Sequence, residues 1–290
     1  RAGGARLGTE RLSASWPEPA SLFEVGSIHA AEHNSTLLVR GRFATFQAPV
    51  LPNGSLGPLR PLGRDVGAVL CGARGQGCTA LAPLGSSWHA LPLEEFCGRG
   101  GAPGSQPEPA LLPSSWRLAA GALEEPGASR RRGLLAGWDG DSITVGDLRR
   151  ELNGSWTVEP RFRLRPGLGR CEAGGAVCRS WRARPYHGVV ALQLAPETRM
   201  LTVLSGNGTL DGWSLDRGAL VGRWQLQGGR YTAMCNKGSQ LYFARQGEDG
   251  PVLERSPLPA ALATRGGEES AAGGRRMASR PAGFLSSLFV

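Results

Sequence analysis

The chain has 290 residues, 40% of them hydrophobic, and a formal net charge of +9, so it can bury a core in one large domain or in two small ones. No stretch approaches the roughly 20 apolar residues of a membrane-spanning helix, and the first residue, Arg1, predicts a processed chain or a fragment. The basic residues are almost all arginine, in local clusters without interleaved aromatic residues or a nucleic-acid-binding motif, which argues against a nucleic-acid partner and leaves a solvated basic face or an acidic protein partner.

Near the N-terminus, His29, Glu32 and His33 match the H-x-x-E-H pattern of inverted zinc proteases, in which two histidines one helical turn apart bind zinc. Such a site needs a helix. The residues that follow, Asn34–Thr36 and then Leu37–Val39, predict a turn leading into a strand. We therefore expect polar residues in a hairpin here rather than a zinc site.

Short apolar runs broken by Gly, Pro, Asn and Asp follow, and no helical apolar period persists. Pairs of such runs occur at residues 36–62, 69–93 and 133–148. Runs that suit an additional outer strand occur at residues 54–62, 85–93 and 154–164. The stretches 98–113, rich in Gly and Pro, and 165–185, with two cysteines, predict inserted loops or an irregular extra unit.

The clearest unit runs from His187 to Leu226. Val189–Leu194 and Met200–Leu204 predict two strands, and Asn207-Gly208-Thr209 predicts the hairpin turn before a third strand. With His187-Gly188 ahead of the first strand and Trp213-Ser214-Leu215 in the third, this unit resembles a WD repeat. The reversed His-Gly order, and Ser214 in place of the family's Asp, predict an incomplete buried polar network. The resemblance implies a β-propeller in which Trp213 is at least half buried.

Residues 133–148 line up on the same template. Asp139-Gly140-Asp141 take the turn and Asp147-Leu148 end the strand, whereas Gly146 stands at the Trp position. His187, Trp213 and Asp147 are thus the residues expected to have structural roles in the repeats. With weaker units at residues 36–62, 69–93 and 231–258, the resemblance implies an all-β propeller of about five to six blades with inserted loops, spanning residues 1–263.

The C-terminal unit has three evident strands, at residues 230–235, 240–245 and 252–258, while a propeller blade needs four. The segment Arg11–Trp16 has alternating apolar residues and no strand partner nearby in the sequence. We therefore predict that residues within 5–16 pair with the strand at 252–258 and close the ring. Residues 264–290, rich in Gly, Ala, Ser and Arg, predict a flexible basic tail with an apolar end.

The six cysteines include two pairs, Cys71 with Cys78 and Cys171 with Cys178, that each enclose six residues. That spacing does not fit a zinc site, and no histidine lies close enough in sequence to complete one. The pairs are compatible with two disulfides in an oxidising compartment, and free buried thiols are the alternative.

Four of the five asparagines begin an N-x-S/T sequence, namely Asn34, Asn53, Asn153 and Asn207. These four are candidate glycosylation sites. Three of them continue with Gly, a sequence that hairpin turns also favour for backbone reasons. The pattern favours a secreted or lumenal protein, with a cytoplasmic one as the alternative.

Other candidate sites have simpler explanations. Asp139 and Asp141 would suit a metal or an acid–base pair, but the corresponding turn of the next unit is Asn207-Gly208, which indicates turn chemistry. The glycine-rich segment 72–77 lacks the Lys-Ser/Thr end of a phosphate loop. Without a nucleophile elbow or a cysteine in a nucleophile pattern, we predict no catalytic, metal-binding or cofactor-binding residues.

The sequence therefore predicts a non-catalytic propeller that serves as an interaction or scaffold subunit of a larger assembly, with other protein subunits, acidic ones among them, as partners. Any membrane association would be peripheral and made through a partner. The alternative is an enzyme on a propeller scaffold, similar to glycoside hydrolases or quinone-dependent oxidoreductases, with carboxylates at the central channel. Clustered carboxylates near the starts of the predicted strands would favour the enzyme hypothesis, and acidic residues are sparse at these positions.

Overall fold

The structure of the chain is a computed structural model. It describes residues 5–14, 16, 25–31, 36–41, 45–62, 66–72, 78–84, 87–93, 108–113, 115–116, 118–123, 132–164, 188–195 and 198–263. The predicted tail at residues 264–290 lies outside these ranges. Among the described residues we find no helix with the length and apolar character needed to span a bilayer.

Strands dominate the described residues, as the sequence predicts. In chain order the strands are β1 (Ala5–Leu7), β2 (Glu10–Leu12), β3 (Ser27–Ala31), β4 (Thr36–Arg40), β5 (Thr45–Pro49), β6 (Arg60–Leu62), β7 (Ala68–Gly72), β8 (Thr79–Leu84), β9 (Ser87–Pro92), β10 (Glu108–Leu111), β11 (Leu118–Leu123), β12 (Arg132–Trp138), β13 (Ile143–Arg150), β14 (Trp156–Leu164), β15 (Val189–Ala195), β16 (Met200–Ser205), β17 (Thr209–Ser214), β18 (Ala219–Leu226), β19 (Arg230–Lys237), β20 (Gln240–Gly247) and β21 (Gly250–Pro257). The short helix α1 (Ala260–Ala263) follows the last strand.

The first sheet contains β3, β4, β5 and β6 in that order, each antiparallel to the next. Its second strand, β4, is buried along nearly its whole length because both of its faces carry apolar side chains. Leu37 and Val39 pack into a core shared with β19 and β20, while Leu38 packs into a core shared with β8 and β9. The sheet is therefore covered on both faces by other sheets.

The next eight strands form one closed sheet made of two antiparallel units, β7 to β10 and β11 to β14. The two units meet along both edges. Their first strands pair in parallel, with Gly121 of β11 opposite Leu70 of β7, and their last strands also pair in parallel, with Ala110 of β10 opposite Trp156 of β14. Side chains from both units fill the space between them, so the two units share one core.

The sheet formed by β15, β16, β17 and β18 lies where the WD-repeat resemblance of residues 187–226 places its strands. Trp213 on β17 is completely buried, which confirms the burial predicted for it. The short strand β1 adds to the outer edge of this sheet in parallel, with Ala5 opposite Trp224. The sequence did not predict this fifth strand.

The last sheet is completed by the N-terminal part of the chain. Its order is β19, β20, β21 and then β2, and β2 runs antiparallel to β21 with Glu10 opposite Arg255 and Leu12 opposite Leu253. The Arg255 guanidinium donates two hydrogen bonds to Oε2 of Glu10, at 2.9 and 2.8 Å. The prediction that residues within 5–16 pair with the strand at 252–258 is therefore confirmed.

The first strands of the successive units contact one another in a closed cycle. β3 contacts β7, β7 contacts β11, β11 contacts β15, β15 contacts β19, and β19 contacts β3. The apolar cores lie between neighbouring units, and each combines buried side chains from adjoining units. The first strands of the five units thus form a closed cycle of contacts.

Two predicted outer strands differ in outcome. Residues 54–62 contain the outer strand β6, but residues 85–93 contain β9, which is the third strand of its unit because it pairs with β8 through a tight hairpin, Leu84 opposite Ser87. The outer strand of that unit is β10, inside the stretch 98–113 that we interpreted as a loop or an irregular unit. Pro109 in β10 makes this strand hard to recognise, because proline is uncommon in strands away from a sheet edge.

Candidate interaction surface

The histidine of the zinc-protease pattern that the structure describes lies on a strand. His29 is part of β3, and its Nε2 lies 3.0 Å from Oγ of Ser27. Burial, with the nearby Arg40 guanidinium adding to it, lowers the pKa of His29 to about 4. Glu32 and His33 lie outside the described residues. Because the pattern needs two histidines on one helical face, a strand at His29 argues against this zinc site.

The carboxylate of Asp139 is used inside its own turn. Its Oδ1 accepts hydrogen bonds from the backbone N–H groups of Asp141, at 2.9 Å, and Ser142, at 2.8 Å, and its Oδ2 accepts one from Oγ of Ser142. Although burial favours the protonated form, the backbone hydrogen bonds from Ser142 and Asp141 lower the pKa of Asp139. Within the described part of the chain, no three His, Cys, Asp or Glu side chains are grouped so that they could hold a metal ion.

The expected repeat-structural residues have different environments. The indole N–H of Trp213 has no hydrogen-bond acceptor among the described residues, and the hydroxyl of Ser214 accepts a hydrogen bond from the backbone N–H of Arg217. Asp147 lies on the outer part of β13 and accepts a hydrogen bond from Arg161 Nε at 2.7 Å. His187 lies outside the described residues.

Cys78 takes part in a disulfide, and the described side chains do not include its partner. Cys71 belongs to β7, but its side chain lies outside the described part, as do Cys171 and Cys178 entirely. The pairings of Cys71 with Cys78 and of Cys171 with Cys178 therefore stay predictions. Cys235 is a free, buried cysteine, and burial raises the pKa of its thiol to about 12, so it is a core residue rather than a nucleophile.

Three of the four glycosylation candidates lie in exposed turns. The side-chain Oδ1 of Asn53 and of Asn153 accepts hydrogen bonds from both the backbone N–H and the hydroxyl of the serine two residues later, and Oδ1 of Asn207 accepts one from the N–H of Thr209. The glycine after each asparagine has a φ near 82°, which favours glycine. The turn conformation therefore accounts for the three Asn-Gly-Ser/Thr sequences without glycosylation. Asn34 lies outside the described residues.

On the described surface, the parallel pairing of β10 with β14 joins the two units of the closed sheet. We call this the outer seam and define it as residues 108–111 and 150–157. Here Arg150 Nε and the indole N–H of Trp156 each donate a hydrogen bond to Oε2 of Glu108 at 3.0 Å, and Arg150 donates a further bond to Oε1. This clamp fixes the two sheet units to each other at their outer edge.

Two leucines project from the outer seam. Leu152 is 89% exposed and Leu111 is 64% exposed, whereas the third exposed large apolar side chain of the described residues, Leu51, belongs to the first sheet's turn. The sequence did not predict that these leucines are exposed. An apolar residue directly before the Asn153-Gly154 turn was the only indication, and a leucine in a turn is not in itself unusual on a protein surface.

Comparison with known proteins finds no matching family and no matching curated protein. Among solved structures, the chain is similar to U3-55K, with 9% identity over 88% of this chain and 100% of that chain and a TM-score of 0.47. It is also similar to the RRP9 WD40 repeats, with 9% identity over 88% of this chain and 99% of that chain at a TM-score of 0.46. A third is the glutaminyl cyclase of Myxococcus xanthus, with 13% identity over 87% of this chain and 97% of that chain at a TM-score of 0.45.

Proposed function

We propose that this chain is a five-bladed propeller that serves as a non-catalytic interaction subunit of a larger protein assembly. The observation that carries the proposal is the closed cycle of first strands, β3, β7, β11, β15 and β19. Each of these begins a unit of at least three antiparallel strands, and the last unit is closed by β2 from the other end of the chain. A ring of this kind supplies a rigid frame with loops and edges directed outward.

The described polar side chains support an interaction role over catalysis. Asp139 is satisfied within its turn, His29 is paired with Ser27, and the buried Asp211 is held by two hydrogen bonds from Arg223, at 2.7 and 2.9 Å. Each of these groups is engaged in holding the fold together.

We further propose that the protein works in a secretory or lumenal compartment, with Cys71 and Cys78 joined, Cys171 and Cys178 joined, and glycans on Asn34, Asn53, Asn153 and Asn207. What supports this is the cysteine spacing, the four N-x-S/T sequences and the exposure of Asn53, Asn153 and Asn207 in turns. Peptide mapping without reduction should find both short-loop disulfides. Finding all six thiols free would contradict both disulfides and favour the cytoplasmic alternative.

Native mass spectrometry of the protein from its source tests the assembly role. We expect this chain together with at least one other protein subunit, in a constant ratio. Recovery of the folded chain alone at physiological salt would contradict the assembly role. Turnover of a substrate by the purified chain would instead favour the alternative of an enzyme on a propeller scaffold.

A further inference from the structure

The short helix α1 leads from the last sheet back onto the sheet before it. It follows β21 in the chain and contacts β18, a strand of the unit formed by β15 to β18. Leu262 is the buried side chain of α1 and is only 1% exposed, whereas Ala260 and Ala263 at the two ends of the helix are exposed. One leucine therefore makes the apolar contact of this helix.

Two glycines provide the space that Leu262 occupies. Gly212 on β17 lies directly opposite Gly222 on β18. A Cβ atom at position 212 would overlap Cδ2 of Leu262 and lie 3.1 Å from the ring of Trp224, and a Cβ atom at position 222 would lie 2.5 Å from the same ring. A larger residue fits at neither position unless its neighbours move. We call the gap over Gly212 and Gly222 the glycine notch, and the side chains of Leu262 and Trp224 fill it.

The backbone hydrogen bonds of Leu262 and Ala263 lie within α1. Both N–H groups donate to the carbonyl of Pro259, at 2.8 and 3.2 Å. A single helical turn is not stable in water on its own, so α1 depends on the contact of Leu262 with the notch. Leu258 is fixed separately, because its N–H donates to the carbonyl of Ser239 at 2.8 Å. Movement of the chain beyond Leu258 therefore leaves this bond and the pairing of β21 intact.

Release of Leu262 would also leave the neighbouring core in place. The core between this unit and the last sheet contains Leu204, Leu210 and Phe243, and Leu262 is not among its described members. We propose that α1 is a latch that opens locally, so that Leu262 leaves the glycine notch while the strands stay paired. Opening exposes the notch and the ring of Trp224, which gives this surface two states. The latch is independent of the interaction role proposed above.

Hydrogen exchange of the full chain, resolved by NMR spectroscopy, tests the latch. The amides of Leu262 and Ala263 should be protected roughly 10- to 150-fold, the ratio that corresponds to burial of one leucine. Amides in the central strands β16 and β20 should exchange far more slowly, because they open only in larger unfolding events. Leu262→Ala should lower the protection of the Ala263 amide at least about fivefold. Protection of the α1 amides equal to that of the strands would overturn the latch, and so would its complete absence.

Substitutions give a second test. Leu262→Asp holds the latch open and does nothing more, so it should lower Tm by at most about 10 °C. Leu226→Asp, at a buried position of β18, should lower Tm much further, because a paired strand cannot swing away. Gly212→Ala should free the α1 amides as Leu262→Ala does, and the two together should have less than the sum of their separate effects on protection. Equal losses of Tm for Leu262→Asp and Leu226→Asp, or additive effects of the other pair, would overturn the latch.

Discussion

At the residue scale, Trp213 shows how this chain departs from the WD repeat that it resembles. The indole ring fills the core between β17 and its neighbours, yet the N–H group is buried without an acceptor among the described residues. A buried donor without a partner costs about 1–3 kcal/mol. The indole ring of Trp213 thus stabilises the fold through packing, while its unpaired N–H group destabilises the fold.

Replacing Trp213 separates these two contributions. Trp213→Phe keeps most of the apolar volume and removes the unpaired donor, so we expect a loss of less than about 1.5 kcal/mol in the free energy of unfolding. Trp213→Ala leaves a large cavity and should cost about 3–5 kcal/mol. Urea unfolding of both variants measures the difference. Equal losses for the two would show that the indole N–H does have an important partner.

His29 makes stability depend on pH in the acid range. Its pKa is lowered from 6.5 to about 4 in the folded chain, so below pH 6.5 the unfolded chain binds a proton that the folded chain does not. The free energy of unfolding therefore falls as the pH decreases from 6.5 to about 4. From pH 7 to pH 5 we expect a loss of about 2 kcal/mol from this residue. Urea unfolding of wild type and His29→Gln at both pH values checks it, since the variant should lose about 2 kcal/mol less.

At the element scale, the contrast between β2 and β1 shows what the sequence could and could not predict. The pairing of β2 with β21 follows from a unit that lacks an outer strand and a segment near the N-terminus with alternating apolar residues. The parallel pairs of β1 with β18 and of β10 with β14 join strands far apart in sequence. No turn sequence marks such pairs, and they depend on tertiary packing.

The candidate surface was harder to predict than the strands. The units at 133–148 and 187–226 carry turn glycines and apolar runs that specify strands locally. Leu152 lies in a turn of the same kind, whereas Leu111 lies on β10, which joins this unit only through its pairing with β14. Sequence patterns report local structure, whereas this surface is defined by a contact between two sheet units.

Removing β2 should destabilise the last sheet. In a chain without residues 1–18, Leu253 loses its contact with Leu12, the edge of β21 loses its hydrogen-bond partners, and β18 also loses β1. We expect a loss of at least about 3 kcal/mol, or roughly 6–12 °C in Tm for a chain of this size. Self-association through the open edge should follow. Calorimetry and light scattering measure both effects.

Arg6→Ala provides the control for this deletion, because Arg6 is exposed on β1 and lies opposite Gln225 rather than on β21. Its melting temperature should match the wild type. A deletion variant that stays monomeric and melts at the wild-type temperature would show that β2 is dispensable for closing the ring.

At the scale of the whole molecule, the cores lie between neighbouring four-stranded units rather than within them. Leu37 and Val39 of the first sheet share a core with Tyr242 of the last, and Trp213 shares one with Ile143 of the closed sheet. Each unit therefore depends on its neighbours for burial of its faces. Loss of one unit exposes the faces of two others.

This arrangement predicts cooperative unfolding. Urea transitions followed by tryptophan fluorescence and by far-ultraviolet circular dichroism should have the same midpoint, because Trp156 and Trp213 report from different units whose cores are shared with their neighbours. Separate midpoints would mean that some units unfold on their own. The far-ultraviolet spectrum itself should be dominated by strand rather than helix.

The contact between Glu10 and Arg255 joins residues 245 positions apart, and this has a consequence during synthesis. At roughly 5–20 residues per second, β2 leaves the ribosome about 12–50 s before β21 exists. Closing a loop of that length costs about 5 kcal/mol in chain entropy, which is offset only when most of the sheets between the two strands have formed. Throughout that interval the nascent chain exposes an unpaired strand with Leu12 on it, so the period of greatest risk of misassembly is before release, when a chaperone bound to β2 would protect the chain most.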